Sequence, residues 1–359
     1  VWWDKQKAPV ALFRCETGDE SGYGHFFRSL ALAEAWVARG GDAHIYPTEP
    51  VSGPSWPTFD KTADTYIDLA TTLYPQYGAK ETGFSDDLLL RELVRFDVDW
   101  CVLDGYGIGP DLQRTVKQTT RCLVIDDDGC HGQYYADAIL NPGVASDAVP
   151  YQLHGGTRLW LGSTYALVRK AIRAQRPMTR VPAQRLRTIL VAMGVGTHAR
   201  EALVPIIQQI DQARRDQDAD WTVRVVVGPA LAEEMEGIER FAGVELVEND
   251  PDAFPTWLVE SDLLISAGGV TAVEAAYLGT PMLLFPQAAN QELMAQAWTT
   301  QGATLAADVE DIPSLLGRWD AREWSAFAQV GQGLIDGQGA DRVVTEMRIT
   351  MGLDADDRI

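Results

Sequence analysis

Cysteine, histidine and basic residues are scarce in this chain, and each shortage argues against a class of function. The four cysteines, Cys15, Cys101, Cys122 and Cys130, have no C-x-x-C spacing. Its absence speaks against both a zinc-ligand framework and a disulfide scaffold. Cys15, Cys101 and Cys122 lie in or beside apolar runs, where buried free thiols of a reducing compartment are expected. Lys and Arg number 30 against 51 Asp and Glu, which leaves a net charge of −21. A surface that acidic repels nucleic acid and anionic lipid, so neither is expected as a partner, and any negative ligand must enter a local pocket. No stretch approaches the roughly 20 apolar residues needed to cross a bilayer. The opening VWWDKQKAP breaks into charge too early for a signal peptide. A cytoplasmic protein is expected. Val1 in place of an initiator Met points to a trimmed or partial end.

What the chain does have is a regular alternation. Its 359 residues suggest two domains at roughly 100–200 residues each. Short β-rich runs alternate with helical patterns, the mark of an α/β fold with mostly parallel sheets. The first series reads PVALFRCE, DAHIYP, WCVLDG, RCLVIDD, ADAILN and RLWLG. The second reads RTILVAMG, WTVRVVVGP, VELVEN, DLLISAGG and PMLLFPQ. Between the first two runs, Phe26, Leu30, Ala33 and Val37 recur at helical spacing before Gly40 and Gly41. The Pro-, Thr- and Gly-rich stretch from Thr48 to Gly83 reads as a long loop. Residues 169–187 carry seven Lys and Arg and a shift in composition, so they read as a linker. The expected division is 1–168, a linker at 169–187, and 188–359.

Five loops carry candidate chemistry. The first lies in ESGYGHFFR at 20–28, where Gly22, Gly24 and His25 precede the first helix. Glycines there let a ligand approach the backbone, and the helix N-terminus behind them suits a phosphate. A His at that bend can serve as a general base near neutral pH, or simply sit in an exposed loop. The pattern is not G-x-G-x-x-G, so a nicotinamide cofactor is disfavoured. The second loop is Asp104-Gly105-Tyr106-Gly107, where Asp104 could orient His25 or activate water. The third is Asp126-Asp127-Asp128. Carboxylates at strand ends often cap the next helix, and no His or further acid stands at a spacing that supports a metal, so none is expected.

The fourth loop is the richest. Gly268 and Gly269 precede a helix starting near Thr271 and form a plausible diphosphate cradle. Glu274 follows one turn later, placed to accept from ribose hydroxyls, and Asn290 and Gln291 follow the next strand. The fifth is Gly194-Val195-Gly196-Thr197, a further Gly-bearing bend.

These motifs together resemble a known family. ISAGGVTAVEAAYLGTPMLLFPQAANQ looks like the nucleotide-binding segment of GT-B-type sugar-nucleotide enzymes. GYGHFFR, LDGYG, VIDDD and YALVR resemble, in order, motifs of the UDP-sugar hydrolase of pseudaminic acid biosynthesis and of the related spore-coat polysaccharide proteins. The resemblance implies two Rossmann-like domains facing across a cleft and metal-independent, cofactor-free hydrolysis of a UDP-linked amino- or deoxy-sugar. By the same resemblance His25 activates water, Tyr106 lines the sugar pocket, and Arg28, which completes the Gly-x-Gly-His-x-x-Arg loop, is expected to bind substrate with Gly22, Gly24 and Gly194. Gly268, Gly269 and Thr271 would hold the diphosphate, Glu274 the ribose, and Asn290 and Gln291 the phosphates or sugar. Two departures loosen the carry-over: the fifth loop, and Cys130 and His131 after the acidic run. The alternative is a glycosyltransferase that passes the sugar to a soluble acceptor. A non-catalytic nucleotide-sugar binder is the third reading.

Overall fold

The structure is a computed structural model that describes residues 7–18, 22–49, 67–69, 85–178, 180, 183–194, 199–228 and 241–354. Each apolar run in the two series becomes a strand. They are β1 (Val10–Cys15), β2 (Asp42–Pro47), β4 (Trp100–Asp104), β5 (Arg121–Ile125), β7 (Ala138–Asn141) and β9 (Arg158–Leu161) in the first half. In the second half they are β10 (Thr188–Ala192), β11 (Thr222–Val227), β12 (Val244–Glu248), β13 (Leu263–Ser266) and β14 (Met282–Leu284). Three short strands carried no sequence signal: β3 (Ile67–Leu69), β6 (Gln133–Tyr134) and β8 (Gln152–Leu153). β3 falls within the stretch read as a loop, most of which lies outside the described residues.

The first sheet has the order β3-β2-β1-β4-β5-β7-β9 and the second the order β12-β11-β10-β13-β14. Every pairing in both is parallel. Parallel strands are covered by helices on both faces, so they are apolar throughout rather than alternating. β1 and β4 are accordingly buried at every position. The helix Gly24–Ala38 follows β1 and buries Phe26, Leu30, Ala33 and Trp36 against the sheet. Val37 only partly packs there. Gly40 takes a left-handed φ of +81° at the helix end, a conformation glycine adopts without strain.

In each sheet the chain first winds one way from its founding strand and then returns to the other side. The reversals fall between β1 and β4 and between β10 and β13. Crevices open beyond the carboxyl ends of strands at such reversals, and ligands bind there. The register puts Cys15 beside Asp104 at one reversal and Ala192 beside Ser266 at the other.

One element departs from the expected division by chain order. The helix Gly339–Thr350 packs in the first core, with Ala340, Val343, Val344 and Met347 against the sheet that carries Ala11 and Phe13. Its Val343–Val344–Met347 stripe has the spacing of a helix face, and the first sheet supplies the apolar surface that covers it. The stretch 169–187 is likewise not simply solvated, because Arg169, Ile172 and Leu186 are buried. No helix among the described residues is long and apolar enough to cross a membrane.

Candidate active site

The two reversals face each other at close range. Gly24 opens the helix after β1, and Val270 opens the helix Val270–Leu278 after β13. A Cβ placed on Gly24 would lie 3.6 Å from a Val270 methyl, so the two helix N-termini meet. Neither helix has a side-chain cap, and neither has an acidic residue in its first turn. Two positive helix ends therefore converge, and neither is capped by a side chain or by an acid of its own first turn.

His25 lies in the first turn of its helix and is 8% exposed. Its Nδ1 is buried with no hydrogen-bond partner. Its ring meets the Tyr106 ring edge-on, with centroids 5.1 Å apart, and Tyr106 itself is half exposed. Burial lowers the His25 pKa, and the Arg28 cation adds to that, while the Asp104, Asp127 and Glu16 carboxylates pull the other way. A neutral imidazole at physiological pH is the consequence.

Asp104 was expected to orient His25 or to activate water. Its carboxylate is instead fully buried and held by Arg28, whose Nε and Nη2 donate to its two oxygens at 2.7 and 2.6 Å. The Ser29 hydroxyl lies at 3.5 Å from the same carboxylate. Arg28, expected as a substrate ligand, donates its remaining Nη1 to Asp127. Both residues are thus paired within the protein beside His25, with three of the five Arg28 N–H donors engaged by Asp104 and Asp127.

The other candidates fall into place around the reversals. Gly22 takes a φ of +68° and closes a small bridge with Gly18. Gly194 and Gly268 take left-handed φ values of +98° and +97° at the ends of β10 and β13. Gly269 is the N-cap of the second helix, and Thr271 lies half-buried in its first turn. Residues 195–198 lie outside the described residues, which leaves most of the fifth loop undescribed. The side chain of Asn290, in the helix Ala289–Thr300, lies outside them as well. Gln291 accepts from the Gln287 N–H at 2.8 Å, and Gln287 Nε2 donates to the Met193 carbonyl at 3.3 Å. That chain ties the loop after β14 to the loop after β10.

Glu274 was expected at a ribose. It is buried, and its Oε1 accepts from Arg169 Nε at 2.7 Å. A buried carboxylate needs such a partner, and the linker supplies it.

Several site residues escaped the sequence reading. Glu16 Oε2 accepts from the Tyr106 N–H at 2.6 Å and the Gly107 N–H at 3.3 Å, which fixes the loop carrying Tyr106. Its position directly after β1, at a reversal, was the available signal. Arg14 lies beneath Gly105–Gly107, with Nε and Nη1 lacking partners. His131 comes to within 3.9 Å of the Asp126 carboxylate, a proximity that the sequence reading discounted.

Two doubly wound parallel sheets whose reversals face one another make this a GT-B fold, as the sequence reading expected. No family model matches the chain. The chain is similar to the spore coat polysaccharide biosynthesis protein SpsG of Bacillus subtilis, at 24% identity over 347 residues, covering 93% of this chain and 96% of that protein. Among solved structures it resembles S. aureus MnaA in complex with UDP, with a TM-score of 0.64 and 12% identity over 97% of this chain and 98% of the other. It also resembles the spinosyn forosaminyltransferase SpnP, with a TM-score of 0.58 and 16% identity over 96% of this chain and all (100%) of the other.

Proposed function

We propose that the protein transfers a glycosyl group from a nucleoside diphosphate sugar, of the UDP class, to a soluble acceptor. One observation carries the reading: His25, neutral and with an unpartnered nitrogen, stands where two uncapped helix N-termini converge. The converging N–H groups suit the diphosphate, whose negative charge grows as it leaves. His25 takes the proton from the acceptor hydroxyl as its oxygen attacks the anomeric carbon. The bond from that carbon to the diphosphate oxygen breaks, and the nucleoside diphosphate departs with the electron pair. Tyr106, exposed beside His25, lines the sugar or acceptor pocket. SpnP is a glycosyltransferase by name and MnaA was solved with UDP, and both support this class of substrate and reaction. The acidic surface, with a net charge of −21, disfavours an anionic membrane acceptor.

A second reading keeps the donor and replaces the acceptor with water. The confined space at His25, bounded by Arg28, Tyr106, Asp126 and His131, favours a small nucleophile. One experiment separates the two. UDP-, CMP-, GDP- and dTDP-sugars are incubated with the protein, with and without hydroxyl acceptors, and free nucleotide is followed. Release that requires the acceptor, with a glycosylated product, is the expected outcome. Equal release in water alone would replace transfer with hydrolysis, and binding without release would remove catalysis altogether.

A further inference from the structure

Just beyond β5 the chain makes a tight reversal that brings three metal-ligating side chains together. Asp126 Oδ1 accepts from the N–H groups of Asp128 and Gly129 at 2.9 and 3.0 Å, and this folds the segment back over its own carboxylate. Gly129 and Gly132 both take φ values of +74°, left-handed conformations that few other residues tolerate. Cys130 and His131 are thereby returned towards Asp126. His131 Nε2 lies 3.9 Å from Cys130 Sγ and 3.9 Å from Asp126 Oδ2. One ligand atom from each of the three lies within 4.8 Å of the others.

These separations approach those of a tetrahedral zinc site. Zn–S and Zn–N bonds of about 2.3 and 2.0 Å put neighbouring ligands roughly 3.3 to 3.6 Å apart. Closing the site asks for a few tenths of an ångström on the His131 edges and about 1 Å between Asp126 and Cys130, whose separation is within 4.8 Å and whose thiol is exposed and able to turn. The surroundings are organised as the outer shell of such a site would be. The Tyr134 hydroxyl donates to Asp126 Oδ2 and leaves that oxygen a second lone pair. Asp126 and His131 are buried and held, while Cys130 is exposed and gives an entry path. A thiolate, an imidazole and a carboxylate suit zinc rather than magnesium or calcium, which prefer oxygen throughout.

We propose that Asp126, Cys130 and His131 form a binding site for a divalent cation of the zinc class. Among the described residues three protein ligands converge, which leaves a fourth position open, as catalytic sites do and closed structural sites do not. The residues line the same cavity as His25 and Tyr106. The site is independent of the transfer reading above, because its ligands are defined whether or not a sugar is bound.

The test uses the full chain, stripped with a chelator and desalted, then titrated with Zn2+ against a chromophoric competitor. Cys130→Ala is the informative variant, because an exposed side chain can be removed without disturbing the fold. Asp126 is less suitable, since its carboxylate also closes the turn. One equivalent of Zn2+ should bind, and Cys130→Ala and His131→Ala should each weaken that binding by about tenfold or more. Tyr134→Phe should weaken it by roughly tenfold. Co2+ in place of Zn2+ should show a thiolate-to-metal charge-transfer band that is lost in Cys130→Ala. The other three cysteines are fully buried, so the band reports on Cys130. Diffuse binding to an acidic surface does not depend on one thiol. Equal Zn2+ uptake by the wild type and Cys130→Ala, or a Co2+ complex without the thiolate band, would overturn the proposal.

Discussion

Asp104, the last residue of the fourth strand, and Arg28, one turn into the first helix, grip each other through two parallel hydrogen bonds of 2.6 and 2.7 Å. Both side chains are buried, Asp104 at 0% and Arg28 at 8% exposure. The pair fixes the helix to the sheet at the turn that presents His25. Burial sets the lowered basicity of that imidazole, against which the pair's carboxylate acts more strongly than its cation adds. Two residues that read in sequence as a catalytic carboxylate and a ligand-binding arginine are, in the fold, a buried ion pair beside His25.

That arrangement predicts an asymmetric response to mutation. Removing one member of a buried ion pair strands the other, at a cost of about 3–5 kcal/mol. Asp104→Ala should lower the urea midpoint accordingly, with the denaturant slope unchanged. Asp127 still faces Arg28 and softens the loss only in part. The double substitution Arg28→Met with Asp104→Leu should recover much of the stability, because an apolar pair of similar volume leaves no stranded charge. A cost below about 1 kcal/mol for Asp104→Ala would mean that the pair is not the buried strut described above.

His25 should separate turnover from binding. His25→Asn is expected to reduce kcat by about 10²–10⁴, the range for losing a general base, while nucleotide affinity changes little. Comparable losses in both would make the imidazole a ligand for the nucleotide instead. Its pH behaviour follows from the direction of the shift. The folded protein holds the His25 proton less tightly than the unfolded chain does, whose value is about 6.5. Stability tied to this residue is therefore complete above about 6.5 and is lost as pH falls from there towards the folded value. Over that window His25→Asn, which does not titrate, should lose stability less steeply than the wild type. The acidic limb of the rate profile should lie below about 6.5, and the residual activity of His25→Asn should lack it.

The strands and the bends were legible because their signals are local. Apolar runs such as WCVLDG and RCLVIDD mark doubly covered strands, and the glycines at 22, 24, 268 and 269 mark the reversals that end them. What stayed hidden depends on contacts between distant residues. Arg28 and Asp104 are 76 positions apart, and Arg169 and Glu274 are 105 apart. No spacing rule pairs them. The helix Gly339–Thr350 carries an ordinary apolar stripe, and only the tertiary fold selects the first sheet to cover it. His131 reaches Asp126 through a turn in which Gly129 and Gly132 are both left-handed, a conformation that sequence spacing alone does not convey.

Arg169 offers the sharpest test of how the two sheets are held. Its Nε donates to Glu274 at 2.7 Å, its Nη1 donates to the Pro251 carbonyl at 3.0 Å, and its guanidinium lies 4.4 Å over the Phe27 ring. Phe27 follows His25 by two residues, and Glu274 lies four residues past Val270, so one side chain clamps both helices that frame the site. A Lys has neither the planar face for Phe27 nor the fork to reach two acceptors at once. Arg169→Lys should therefore destabilise the fold and weaken nucleotide binding together, as read by urea unfolding and by calorimetric titration with UDP. Glu274→Gln then decides what its carboxylate does. In a clamp, the amide keeps one hydrogen bond but loses the charge that balances Arg169, so stability falls with affinity. If Glu274 instead holds a ribose, affinity falls while the unfolding midpoint stays where it was. The geometry favours the first result, because Glu274 is buried and its Oε1 already accepts from Arg169.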